Sequence, residues 1–207
     1  YYEDGTSQKA NPDLDPETID TFEIIYEQYL GKHFRGTIVG FYNSIDDLIV
    51  SRRDYTDGFN VFENVDKVRA KGLEFEMEEK WESGLEGRAS YTIQETENTT
   101  AGEDLVNSPE YLGKFNIIIP VIKRKLFLSG EEQYISRRKT LDRKFAEDFF
   151  VTNMTLYSHN IFKTLEVSGG VFNLFNKEYE DPAGEEHTQD IIEQDGRTFR
   201  IKITYAF

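Results

Sequence analysis

Glu185, Glu186, His187 and Asp190 place three carboxylates and an imidazole in one short stretch, EEHTQD. That is the mixed oxygen and nitrogen donor set a divalent metal ion takes. A solvated acidic loop with an unliganded histidine has the same composition. Arg52, Arg53 and Tyr55, in SRRDY, offer two guanidinium forks suited to carboxylate or phosphate and a ring suited to stacking. These three are the candidate ligand contacts, against the plain alternative of a charged, soluble loop. Glu74, Glu76 and Glu78 recur at every second residue. Paired carboxylates can hydrolyse glycosides, but strand spacing makes such pairs common, and a water-facing sheet surface explains them. A Ser-His-acid hydrolase needs its histidine held beside its partners. Here His33, His159 and His187 fall in three separate connections, so no enzyme is expected. The chain has no cysteine, hence no thiolate nucleophile, disulfide framework or cysteine-based zinc site. No cofactor is expected.

The elements that carry these residues are strands. In TFEIIYEQY, Phe22, Ile24 and Tyr26 oppose Glu23, Ile25 and Glu27. In KGLEFEMEEKW, Leu73, Phe75 and Met77 oppose the three glutamates. In GLEGRASYTIQ, Leu85, Ala89, Tyr91 and Ile93 oppose Glu86, Arg88, Ser90 and Thr92. GTIVGFYNSIDDLIV, YLGKFNIIIPV, KLFLSGEEQYI, DFFVTNMTLY and TLEVSGGVFNLF read as further strands. The closing GRTFRIKITYAF sets Phe199, Ile201, Ile203, Tyr205 and Phe207 against Arg200, Lys202, Thr204 and Ala206. A period of two sustained over nine segments, with helical periodicity almost absent, predicts an all-β, antiparallel up-and-down meander.

The connections alternate in length. Short ones lie near 30–35, 82–84, 121–125 and 159–163, and long polar ones near 51–60, 96–108, 137–147 and 179–195. All short turns then fall at one end of the sheet and all long loops at the other, the polarity of a transmembrane outer-membrane β-barrel. No stretch approaches the ~18 apolar residues of a membrane helix, but barrel strands of alternating polarity escape that test. The start has neither the basic nor the apolar region of a signal peptide. The formal net charge of -15 argues against nucleic acid as a partner.

Five segments carry a family likeness. NPDLDPETIDTFEIIYEQ resembles the Asn-Pro-x-Leu-x-Pro-Glu entry to a strand in TonB-dependent outer-membrane receptors. NVDKVRAKGLEFEMEEKW is similar to that family's Gly-hydrophobic-Glu strand, and NSPEYLGKFNIIIP to its proline-led strand. SGGVFNLFNKEYEDP resembles the penultimate strand with its Asn-Leu-Phe-Asn-Lys-x-Tyr signature, and DGRTFRIKITYAF the last strand. The likeness covers about residues 11–207.

The resemblance implies a ligand-gated transporter of the Gram-negative outer membrane, a plugged barrel of ~22 strands. It implies uptake of a scarce small molecule, such as a ferric siderophore, cobalamin or haem, driven by the inner-membrane TonB complex. Residues 1–207 are then the C-terminal portion of such a barrel, about nine strands, with the plug domain and N-terminal strands absent. Implied partners are outer-membrane lipid and lipopolysaccharide, the TonB complex through the missing N-terminal part, and the barrel-assembly machinery. The last of these is expected to read the terminal strand of Phe199, Ile201, Ile203, Tyr205 and Phe207. The alternative is a soluble acidic β-sandwich binding module, since a period of two alone fits both.

Overall fold

The computed structural model describes residues 7–158, 164–184 and 187–206. It contains β1 (Gln8–Lys9), β2 (Thr18–Leu30), β3 (Phe34–Arg53), β4 (Asn60–Lys80) and β5 (Glu86–Asn98). There follow β6 (Glu103–Asp104), β7 (Tyr111–Ile122), β8 (Leu126–Ile135), β9 (Arg138–Lys139) and β10 (Phe145–Ala146). The last are β11 (Phe149–Ser158), β12 (Leu165–Phe172), β13 (Glu180–Pro182), β14 (Ile191–Glu193) and β15 (Thr198–Tyr205). The main sheet runs β15-β12-β11-β8-β7-β5-β4-β3-β2, each strand beside its chain neighbour and antiparallel to it, with β1 and β6 as short side branches. Such a path sends β2–β3, β4–β5, β7–β8 and β11–β12 round at one end. The connections 54–59, 99–110, 136–148 and 173–197 lie at the other.

The ladder registers carry one face coherently across the sheet. Tyr26, Ile38, Phe75, Tyr91 and Gly113 are successive cross-strand partners, as are Phe199, Val171, Met154, Gly130 and Ile117. Leu73 pairs with Ile93, and Ile201 and Ile203 pair with Gly169 and Val167, so the apolar residues fall together. Many stay open to the surroundings, Ile201 at 78% and Phe199 at 73%. The opposite face holds Glu74, Glu76, Glu78, Arg88, Arg200 and Lys202. There Arg35 bridges Glu76 (2.9 Å) and Glu78 (3.1 Å), and Arg88 reaches Glu76 (2.7 Å). Glu76 and Glu78 are therefore held by cations. A sandwich would need a second sheet over the apolar face, yet the other sheets among the described residues are the two-stranded pairs β9–β10 and β13–β14.

The apolar band also drifts along the strands. On β3 it runs Phe34–Tyr42 and centres on Ile38, whose ladder leads to Gly113 of β7. On β15 it runs Phe199–Tyr205 and centres at Lys202, whose ladder leads through Ser168, Tyr157 and Phe127 to Pro120 of β7. Gly113 and Pro120 are seven residues apart, and seven strand-to-strand steps separate β3 from β15, so the drift is one residue per step. With ~3.4 Å per residue and ~4.8 Å between strands, a level apolar layer requires a strand tilt of about 35°. Membrane barrels tilt their strands by roughly 35–45°.

Local departures have local causes. Leu85, expected within a strand, lies in the β4–β5 turn, where its carbonyl accepts from the Trp81 amide at 2.9 Å. The register slips between Ile45 and Leu48, with Asp47 at φ 58, a bulge in the long β3–β4 hairpin. At Gly72 a β-carbon would collide with the Ile93 carbonyl oxygen and come 2.7 Å from the Phe41 ring, so glycine lets the ring and the neighbouring strand both approach. The expected strand TLEVSGGVFNLF ends at Phe172. Asn173 and Asn176 turn left-handed (φ 50 and 54) and fold Asn-Leu-Phe-Asn into a turn, since asparagine tolerates that backbone region. The Asn173 side chain closes it, accepting from the Lys177 amide (2.7 Å) and donating to the Lys177 carbonyl (2.8 Å).

Candidate functional site

Three long connections dock onto one another at the long-loop end. Arg138, only 6% exposed, is the centre of the junction. It pairs with Asp181 (2.7 Å), donates to the Glu180 carbonyl (2.9 Å) and to the Asn107 side chain (3.4 Å), and lies over the Phe149 ring. Phe149 in turn packs on Tyr179, with ring centroids 4.4 Å apart. Buried Thr140 donates its hydroxyl to Asp190 (2.7 Å), which also accepts from the Asp142 amide (2.9 Å). Glu103 receives both Lys139 and Arg143 at 2.9 Å. Hydrogen bonding from Lys139, with the charges of Arg143 and Lys139, holds Glu103 below the ordinary carboxylate range.

Beneath this junction the polar face of β8, β11 and β15 forms a cleft of about 290 Å³. Phe149, Phe172 and Tyr179 supply rings, and Gln133, Asp195 and Thr198 supply polar groups. Burial, reinforced by the Asp181 and Asp195 charges, raises the Tyr179 pKa above the ordinary phenol value. Aromatic walls with a few converging polar groups are the usual composition of a small-molecule site.

The residues singled out from the sequence lie apart. Arg52 and Arg53 end β3 and Tyr55, 92% exposed, sits in the hairpin tip beyond them. Asp54 steadies that tip by accepting from the Thr56 amide (2.9 Å) and by pairing with Lys9. In the sheet, β5 and β7 stand between this hairpin and β8, so the tip and the cleft are different regions. Glu185 and Glu186 lie outside the described residues, as does Phe207. The His187 amide donates to the Gly184 carbonyl at 3.1 Å. Asp190 acts as a bracket between connections. Burial opposes its ionisation, but the Asp142 amide, the Thr140 hydroxyl and the Lys144 charge together lower its pKa. No three His, Cys, Asp or Glu among the described residues gather as metal ligands. Phe199, Ile201, Ile203 and Tyr205 project from the apolar face of β15, which pairs with β12 on one side and has an open edge on the other. Arg138, Thr140, Phe149 and Tyr179 were not singled out from sequence. They sit in stretches read as polar loop or ordinary strand, and no local pattern marks them.

The family model described as "TonB dependent receptor-like, beta-barrel" matches residues 1–174. No curated protein matches the sequence. Among solved structures, the chain is similar to the copper transporter OprC, with a TM-score of 0.75 and 16% identity over 95% of this chain and 32% of that one. It is similar to the ferric-catecholate import receptor Fiu from E. coli K12 (TM-score 0.73, 19% identity, 95% of this chain, 29% of that one). It is also similar to the pyoverdine outer membrane receptor FpvA from Pseudomonas aeruginosa PAO1 (TM-score 0.73, 16% identity, 99% of this chain, 32% of that one). The chain thus spans about a third of the length of the solved structures it matches. Family match, meander and two-faced sheet agree, and the chain belongs to the TonB-dependent receptor-like β-barrel family.

Proposed function

We propose that these nine strands work as the C-terminal part of an outer-membrane active-transport receptor, which takes up a scarce ligand such as a ferric siderophore, cobalamin or haem. The observation that carries this reading is the apolar face kept in register from β2 to β15, opposite a face of paired charges and a roofed cleft. Bilayer hydrocarbon takes the first face and an aqueous lumen the second. The long-loop end then lies outside the cell, where lipopolysaccharide surrounds it, and the cleft under Arg138 faces incoming ligand. Among the described residues, the outer edges of β2 and β15 are open. Unpaired strand edges cannot stand in lipid, since each unsatisfied backbone group costs several kcal/mol. They therefore pair with further strands of the same polypeptide, which also carries the plug and the contact with the TonB complex. The barrel-assembly machinery reads the terminal strand, Phe199 to Phe207. The family consists of transport receptors, and catalysis has no part in this reading.

The test is uptake by cells expressing the polypeptide that contains these strands. Radiolabelled ferric siderophores, cobalamin and haem are offered with the TonB complex intact or deleted. Accumulation of one of them that vanishes on deletion is the expected result. Uptake that persists without the TonB complex, or no uptake of any of the three, refutes the proposal.

A further inference from the structure

The β7–β8 hairpin closes on three consecutive cations, Lys123, Arg124 and Lys125, all exposed, in a chain whose formal net charge is -15. None of the three forms an ion pair with a described residue. The basic run Arg137 to Lys139 differs, since Asp181 holds Arg138 and Glu103 holds Lys139. Of the hairpins on either side, β4–β5 carries Glu82, which makes no bridge to these cations. The connection from β11 to β12, HNIFK, holds no carboxylate.

The turn itself is an unusual place for an arginine. The Lys125 amide donates to the Ile122 carbonyl at 2.9 Å, and the third residue of the turn so closed, Arg124, is left-handed at φ 60. That position favours glycine. The left-handed residues of the β2–β3 and β4–β5 turns are indeed glycines, Gly31 (φ 66) and Gly84 (φ 90). Local folding therefore does not call for the Arg124 side chain, and the reason for it lies outside the turn.

The depth of the turn says what surrounds it. The centre of the apolar band drifts one residue per strand from the level of Gly113, set by β3, so on β7, three steps on, it falls at Asn116. The outward residues of β7, Tyr111 to Val121, centre on the same position. Ile122, at the end of the strand, is six residues further. That is about 20 Å of strand, or roughly 17 Å of depth at a tilt of ~35°. Hydrocarbon ends about 15 Å from the midplane and headgroups extend to about 20–22 Å. The three cations thus stand among headgroups, just past Val121 (55% exposed) and Ile122 (50%). Short turns face the periplasm, so this leaflet is phospholipid.

We propose that the β7–β8 turn binds an anionic phospholipid of the periplasmic leaflet, such as phosphatidylglycerol. Lys123, Arg124 and Lys125 hold its phosphate, and Val121 and Ile122 lie against the upper part of an acyl chain. A zwitterionic headgroup brings its own ammonium to the same cations and is disfavoured. The inference rests on the membrane reading above.

The experiment reconstitutes the polypeptide that contains these strands in nanodiscs of equimolar phosphatidylglycerol and phosphatidylethanolamine. It then extracts the protein in mild detergent and identifies retained lipid by native mass spectrometry. Three proteins are compared: the wild type, the charge-free Lys123→Gln/Arg124→Gly/Lys125→Gln, and the charge-keeping Lys123→Arg/Lys125→Arg. Heat-modifiable mobility on a gel confirms that each is a folded barrel. The wild type is expected to retain phosphatidylglycerol over phosphatidylethanolamine by about five-fold or more, one such factor for each cation engaged. The charge-free variant is expected to lose that preference and the charge-keeping variant to retain it. Equal retention of both lipids by the wild type, or an unchanged preference in the charge-free variant, overturns the proposal. Wild type without a lipid preference that instead sediments with isolated peptidoglycan, as the charge-free variant does not, assigns the turn to that polymer and overturns the lipid. TonB-dependent uptake by a protein with no lipid preference sinks this inference alone. A protein that stays in buffer without detergent sinks the membrane reading with it.

Discussion

Ile38→Arg and Thr37→Arg put the same charge on neighbouring residues of β3, one on each face. Ile38 lies midway along the apolar run Phe34–Tyr42, between Tyr26 and Phe75. The eight residue steps from Phe34 to Tyr42 span about 27 Å of strand, or roughly 22 Å across the layer at a tilt of ~35°. Ile38 is therefore close to the midplane, where an outward-facing arginine costs about 2–4 kcal/mol. Thr37 points the other way, with Glu27 and Glu76 as its ladder partners. An arginine there joins carboxylates already shared with Arg35, so its effect is within about 1 kcal/mol of zero. Tyr42→Arg, at the rim of the band, falls to about 0–1 kcal/mol. The assay is the urea dependence of the heat-modifiable, folded band after refolding into lipid vesicles. Ile38→Arg is expected to shift the midpoint most, Tyr42→Arg slightly and Thr37→Arg least. Equal effects at Ile38 and Thr37, or the larger effect at Thr37, refute the assignment of faces. A flat profile from Ile38 to Tyr42 refutes the depth derived from the tilt.

Three further outcomes follow from the loops. Asp190 has its pKa lowered from the ordinary 3.8, so the docking it supports is complete above that value and is lost as pH falls through the lower folded value. Pepsin cleavage within 187–195 should therefore rise as pH drops below 3.8, and Asp190→Asn should flatten that dependence; an unchanged profile in the variant assigns the transition elsewhere. Arg138→Met keeps the packing on Phe149 but loses the Asp181 pair and the Glu180 and Asn107 contacts, at a cost of about 1–3 kcal/mol. Hydrogen exchange of loops 99–110, 136–148 and 173–197 should quicken together, and acceleration of one loop alone contradicts the keystone role. A divalent ion on Glu185, Glu186, His187 and Asp190 requires a saturable Mn(II) titration abolished by His187→Ala, and superimposable curves remove that site.

The two faces of this sheet were legible in the chain itself. Alternation in TFEIIYEQY, KGLEFEMEEKW and GRTFRIKITYAF is a property of neighbouring residues, and a strand turns a period of two directly into two sides. The order of the strands and the sorting of long and short connections followed, because a meander needs no information beyond the succession of its hairpins. What the alternation could not reveal was how far each strand slides against the next. The drift from Gly113 to Pro120, and the tilt it requires, exist only in the registers. Nor did it show that Asn173 and Asn176 end a strand where the apolar pattern continues into Leu174 and Phe175. The cleft was hidden for the same reason. Arg138 meets Asp181 and Thr140 meets Asp190 across more than forty residues of chain, from loops whose composition marks them only as polar. Local periodicity fixes which way a side chain points, whereas loop-to-loop contacts depend on where two distant turns are carried by the sheet between them.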